Sequence, residues 1–120
     1  MVKSEIVNER NRRAAEIVCI VVTLIEQCGD GGTPHIKVKT IVERCPDLKN
    51  ALDSAKTSSD KSKILRRAFS KAWQLLETKT HLRTHYKNIK FPSLIPTYGD
   101  MNEVIEFPHD GKIRNLEKTD

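Results

Sequence analysis

Apolar positions along the chain cluster with different periods, and each period predicts an element. The densest cluster runs over residues 14–25: Ala15, Ile17, Val18, Cys19, Ile20, Val21, Val22, Leu24 and Ile25, broken only by Glu16 and Thr23. Good helix formers without strand alternation precede it, so the pattern predicts a long helix over residues 5–28, capped by Asn8 or Asn11. A helix apolar all round its axis is a buried one, which makes this the expected central core helix. Its β-branched content also permits a buried strand over residues 17–25. Gly29 supplies a left-handed helix end, and Gly29-Asp30-Gly31-Gly32 reads as a loop.

The following pattern is more local. Thr33-Pro34 reads as an N-cap with proline in the first turn, predicting a helix to Arg44 or Cys45 with Ile36, Ile41, Val42 and Cys45 inward. The competing signal is His35-Ile36-Lys37-Val38-Lys39-Thr40, which alternates as an exposed strand does. Asp47 caps a short helix carrying Leu48, Ala51, Leu52 and Ala55. The clearest stripe is Ile64, Leu65, Ala68, Phe69, Ala72, Trp73, Leu75 and Leu76, an amphipathic helix over residues 60–78. Residues 79–90 either extend that helix or form a wing-like strand through Leu82, Thr84 and Tyr86. Beyond Phe91, prolines and glycines space an extended tail with one strand-like piece over residues 103–107. The expected fold is therefore mainly α: a small helical domain of about four helices over residues 1–90, then an extended, proline-containing acidic tail over residues 91–120.

Charge changes this picture more than composition does. The chain has 120 residues and a formal net charge of +5, a length that suits one domain and argues against large barrel or dinucleotide-binding enzyme folds. Residues 1–60 are neutral. Residues 61–90 hold nine Lys/Arg against one acid, Glu77, and residues 91–120 hold three bases against six acids. The basic block is Lys61, Lys63, Arg66, Arg67, Lys71, Lys79, Arg83, Lys87 and Lys90. Ser62, Ser70, Thr78, Thr80, Thr84 and Gln74 interleave with it. Cations of one sign repel along a helix, so the block calls for an anionic partner, and cations with short hydroxyl donors suit phosphates. The expected partner is nucleic acid, duplex DNA first. The rival reading is a non-catalytic adaptor whose basic helix docks on an acidic protein surface. The tail's own acids offer a third counter-charge and an autoinhibitory expectation, in which the tail covers the basic helix.

Three helices followed by a basic one, joined by short turns, resemble helix-turn-helix DNA-binding domains, including the homeodomain-like and winged variants. The resemblance covers about residues 5–90 and is one of architecture and charge. The homeodomain Trp-Phe-x-Asn-Arg signature is absent, and Trp73 lies in the apolar stripe. It implies a basic helix set on the phosphate backbone.

Other constellations are weaker. His81 and His85 share a helix face and invite zinc with Cys28 and Cys45, but no close Cys-x(2–4)-Cys pair accompanies them. No metal or cofactor is expected. Cys19 and Cys45 read as buried small hydrophobes, and a Cys/His nucleophile with His35 or His81 has no local support. The glycine loop lacks the Lys-Ser/Thr of a phosphate-binding loop. No catalytic residue is assigned. Phe91, Leu94, Ile95, Tyr98, Val104, Ile105 and Phe107 are expected to lie along a protein subunit. Three sparse cysteines, no early apolar run and no stretch of about 20 apolar residues predict an intracellular protein off the membrane, nuclear in a eukaryote.

Overall fold

The computed structural model describes residues 12–28 and 32–113, and the expected helix start over 5–11 and the Gly29 cap lie outside them. In chain order the elements are α1 (Arg12–Cys28), β1 (His35–Lys37), α2 (Val38–Glu43), α3 (Pro46–Ser54), α4 (Ser58–Lys79), α5 (Leu82–His85), a 3-10 turn (Tyr98–Asp100) and β2 (Val104–Glu106). The protein is mainly helical. α1 lies chiefly against α4, with α3 touching both and α2 touching α1 and α3.

α1 buries Ala14, Ala15, Ile17, Val18, Val21, Val22 and Ile25. It is not enclosed all round. Cys19 and Thr23 face solvent, and Ile20 and Leu24 are half-buried. Among the described residues one broad stripe of α1 packs against other helices, and its remaining apolar side chains sit at the rim of that contact. α4 keeps the expected stripe, burying Leu65, Ala68, Phe69, Ala72, Trp73, Leu75 and Leu76, with Phe69 and Trp73 edge to face at 5.4 Å.

The helix expected over residues 33–45 is instead a strand followed by a helix. Residues 35–37 pair antiparallel with β2, with Ile36 opposite Ile105 and both buried. The Phe107 N–H donates to the Pro34 carbonyl at 2.9 Å. Pro34 thus ends a strand pairing rather than opening a helix. α2 starts at Val38 with no side-chain cap. Its first amides are met from across the fold: Val38 N–H donates to the Glu103 carbonyl (3.0 Å) and Lys39 N–H to the Met101 carbonyl (2.9 Å). Orphan amides at a helix start need such partners.

The segment after Phe91 folds back onto the helices. Ile105 and Phe107, expected along a partner, are buried in the chain's own core at 2% and 0% exposure. Phe107 stands edge-on to Trp73 at 6.0 Å. The Trp73 indole N–H donates to the Leu94 carbonyl at 2.6 Å, and Phe91 and Leu94 are half-buried against the core. Residues 91–113 therefore share the core of the helical domain. Residues 79–90 are neither a continued helix nor a wing. α4 stops at Lys79, α5 makes one turn, and Tyr86 bridges antiparallel to Lys112. Lys87 and Lys90 amides donate to the Gly111 and Pro108 carbonyls, both at 2.8 Å. Asn88 takes a left-handed φ of 50°, which asparagine tolerates, and its amide donates to Asp110 at 2.9 Å.

Candidate nucleic-acid interface

α4 positions the basic side chains. Thr57 caps it, its hydroxyl accepting the Asp60 N–H at 3.1 Å. Asp60 in the first turn and Lys79 in the last complement the helix dipole. At about 100° per residue the buried stripe leaves an outward face. Lys63, Arg66, Arg67, Ser70 and Gln74 are exposed on it, and Lys71 is half-buried at its margin. No ion pair among the described residues involves Lys63, Arg66, Arg67 or Lys71. Among the described residues the Lys71 ammonium donates to the Gln74 side-chain carbonyl alone, at 3.4 Å. The single exposed acid further along, Glu77, is held by Arg83 at 3.0 Å. The outward face is thus a run of cations that no described acid neutralises by an ion pair.

The nine basic residues do not form one strip. Lys61 turns toward the tail, its ammonium 5.1 Å from the centre of the Tyr98 ring, while Ser62 accepts the Tyr98 N–H at 3.0 Å. Arg83 lies 5.3 Å over Phe91 while pairing with Glu77. Lys79, Lys87 and Lys90 are exposed beyond the outward face. The structure therefore groups Lys63, Arg66, Arg67 and Lys71, and separates Lys61, Lys79, Arg83, Lys87 and Lys90 from them.

A groove of about 1040 Å³ runs beside this face, between the start of α1, the exposed side of α3 and the flank of α4. Arg12 and Arg13 line one side and Arg67 and Lys71 another, with Asn50 and Ser54 of α3 contributing an amide and a hydroxyl. Asp47 and Asp60 also border it, and Asp47 holds Arg12 at 3.5 Å. Ala51, Ile64 and Ala68 form apolar parts of its lining. The sequence reading missed Arg12 and Arg13. The first sixty residues are neutral on balance, and that balance hid two adjacent arginines at the head of α1.

No protein-family model, curated protein or solved structure matches this chain. Charge and geometry are what distinguish the surface. Guanidinium groups bind phosphate oxygens in a two-pronged way, and lysines act as point charges.

The remaining candidates are drawn into other contacts. His81 pairs with Glu26 at 3.0 Å, and its ring meets His85 edge to face at 4.6 Å. Among the described residues no group of three His, Cys, Asp or Glu is placed to hold a metal ion. Cys19 is exposed, contrary to expectation, as is Cys28, while Cys45 is buried. Burial pushes the Cys45 thiol up to about 12, reinforced by the nearby Glu16 carboxylate and Cys19. A thiol so shifted stays protonated near neutral pH and is a poor nucleophile. Of the apolar tail residues only Ile95, Tyr98 and Val104 remain well exposed, at 40%, 39% and 47%. No helix among the described residues is long and apolar enough to cross a membrane.

Proposed function

We propose that the protein is a nucleic-acid-binding accessory subunit without catalytic activity, and that its ligand is duplex DNA. The outward face of α4 sits on the phosphates. One observation carries this reading: Lys63, Arg66, Arg67 and Lys71 project from one helix face with no ion pair among the described residues. Ser70 and Gln74, exposed on the same face, add neutral donors that fix register. The linkage of α3 to α4 supports a helix-turn-helix arrangement, since only residues 55–57 separate them and the motif joins its helices by three or four residues. In a eukaryote such a protein works in the nucleus.

The exposed Ile95, Tyr98 and Val104 favour a second role beside the first, a protein contact that places the subunit in a larger complex. The adaptor alternative, in which α4 docks on an acidic protein, uses the same cations.

The test is a titration of labelled duplex DNA by fluorescence anisotropy between 50 and 200 mM salt, values spanning the range in which phosphate contacts lose most of their affinity. Affinity falls steeply over that range, and Lys63→Glu with Arg66→Glu abolishes binding while leaving the thermal melt unchanged. Binding that ignores salt, or survives the reversal, sinks the reading. Tight salt-dependent binding to an acidic polypeptide with none to DNA moves the function to the adaptor.

A further inference from the structure

We propose that the groove between α1, α3 and α4 seats the sugar–phosphate backbone of one strand of a duplex, with Arg12 and Arg13 binding phosphates opposite Arg67 and Lys71. This rests on the nucleic-acid reading and adds a second wall of contacts to it. Three observations lead there. First, cations face the groove from two different helices, Arg12 and Arg13 from α1 and Arg67 and Lys71 from α4. A channel with cations on both sides follows a polyanion better than a single helix face does.

Second, Arg67 and Lys71 lie both on the groove's flank and beside Lys63 and Arg66 on the outward face. The groove and the outward face are one continuous basic surface. A strand held in the groove passes directly onto α4. Asn50 and Ser54 on the third wall supply neutral donors and acceptors suited to phosphate and sugar oxygens.

Third, among the described residues the lining contains no aromatic side chain. Grooves that hold single strands stack successive bases on aromatic side chains. Here the apolar lining is Ala14, Ala51, Ala55, Ile64 and Ala68, which offers contact but no stacking platform. The chemistry recognises a backbone rather than splayed bases, and so a duplex rather than a single strand. Asp47 and Asp60 repel phosphate at close range. Asp47 already holds the Arg12 Nε at 3.5 Å, which orients that guanidinium, and a guanidinium carries further N–H donors beyond the one so engaged.

The experiment uses the full chain with a labelled duplex and with one of its strands alone, over the same salt range. The groove variants are Arg12→Gln with Arg13→Gln, and separately Arg13→Gln alone, which leaves the Arg12–Asp47 pair intact if the double variant melts early. The expected result is at least a tenfold loss of duplex affinity in the double variant. The slope of log affinity against log salt becomes shallower by about two, from the loss of two phosphate contacts. Arg13→Gln alone accounts for about half of that slope change, and the wild-type chain prefers duplex to single strand. If wild type binds the duplex and Lys63→Glu/Arg66→Glu destroys binding, yet the groove variants keep both affinity and slope, the groove assignment is overturned and the function stands. A preference for the single strand overturns the duplex assignment. Failure of wild type to bind either polymer removes the functional reading itself.

Discussion

At the scale of single residues, two side chains explain more than their sequence neighbourhoods suggest. Glu16 interrupts the apolar run of α1, yet its carboxylate accepts the Asp47 and Leu48 amides at 3.1 and 3.2 Å. These are first-turn amides of α3, whose N-cap position, Cys45, has no capping side chain. Glu16 does the capping from another helix, with a charge favoured at that end. Glu16→Ala is expected to cost about 1–2 kcal/mol, or roughly 4–8 °C in a thermal melt. An unchanged melt would show that water replaces the carboxylate at no cost. Beside it, burial of the Cys45 thiol makes the fold's stability depend on alkaline pH. Below its ordinary value of 9.0 the thiol is protonated both folded and unfolded and contributes nothing to pH dependence. Between 9.0 and about 12 the unfolded chain ionises first, so stability falls as pH rises. Tyr86, raised by burial and then by Glu26, acts in the same direction above pH 10.0. Urea unfolding at pH 7.5 and pH 10, conditions chosen on either side of about 9, should show a smaller difference for Cys45→Ala than for wild type. An equal difference would assign the alkaline loss elsewhere.

At the scale of elements, what was legible depended on whether the determinants are local. α4 could be read because its apolar stripe and its amphipathic period lie within its own twenty-two residues. The break at residues 35–38 was visible only as a competing alternation, because β1 exists through pairing with β2 some seventy residues later. The caps of α2 and α3 come from residues 101–103 and from Glu16, far away in sequence, so the local signals misplaced both starts: Thr33-Pro34 lies before β1, and Asp47, expected as a cap, sits inside the first turn of α3, which begins at Pro46. The tail was misjudged for the same reason. Its apolar residues are spaced by proline and have no helical period, yet Ile105 and Phe107 complete a core that the helices leave open against Trp73. Phe107→Ala should therefore destabilise by about 3–5 kcal/mol, the range for deleting a fully buried aromatic ring. Removing residues 99–120 should abolish cooperative unfolding rather than uncover a binding face. A truncated chain that melts as sharply as wild type would show that the segment is an appendage after all.

At the scale of the whole molecule, the sign of each segment's charge was legible and its spatial use only partly so. The basic block splits between the outward face of α4, the contacts of Lys61 and Arg83 with aromatic rings, and the scattered Lys79, Lys87 and Lys90. A linear count has no means of making that division, because it follows from which side of α4 the tail occupies. The same packing bears on the expected autoinhibition. Asp100 accepts from the Thr97 amide and hydroxyl at 2.9 and 3.1 Å, and Asp110 accepts from Asn88. Glu103 and Glu106 are exposed around β2, and no ion pair among the described residues joins any of these four to a cation of α4. Their influence on a bound polyanion is thus a long-range field, weakened beyond a Debye length of about 8 Å at physiological salt. Glu103→Gln with Glu106→Gln keeps the fold and removes two negative charges. Its expected effect on duplex affinity is within about twofold at 150 mM salt, growing as salt is lowered and the field reaches further. A gain of tenfold or more at 150 mM would mean that these acids cover the basic face, and would restore the competition between tail and DNA that their positions argue against.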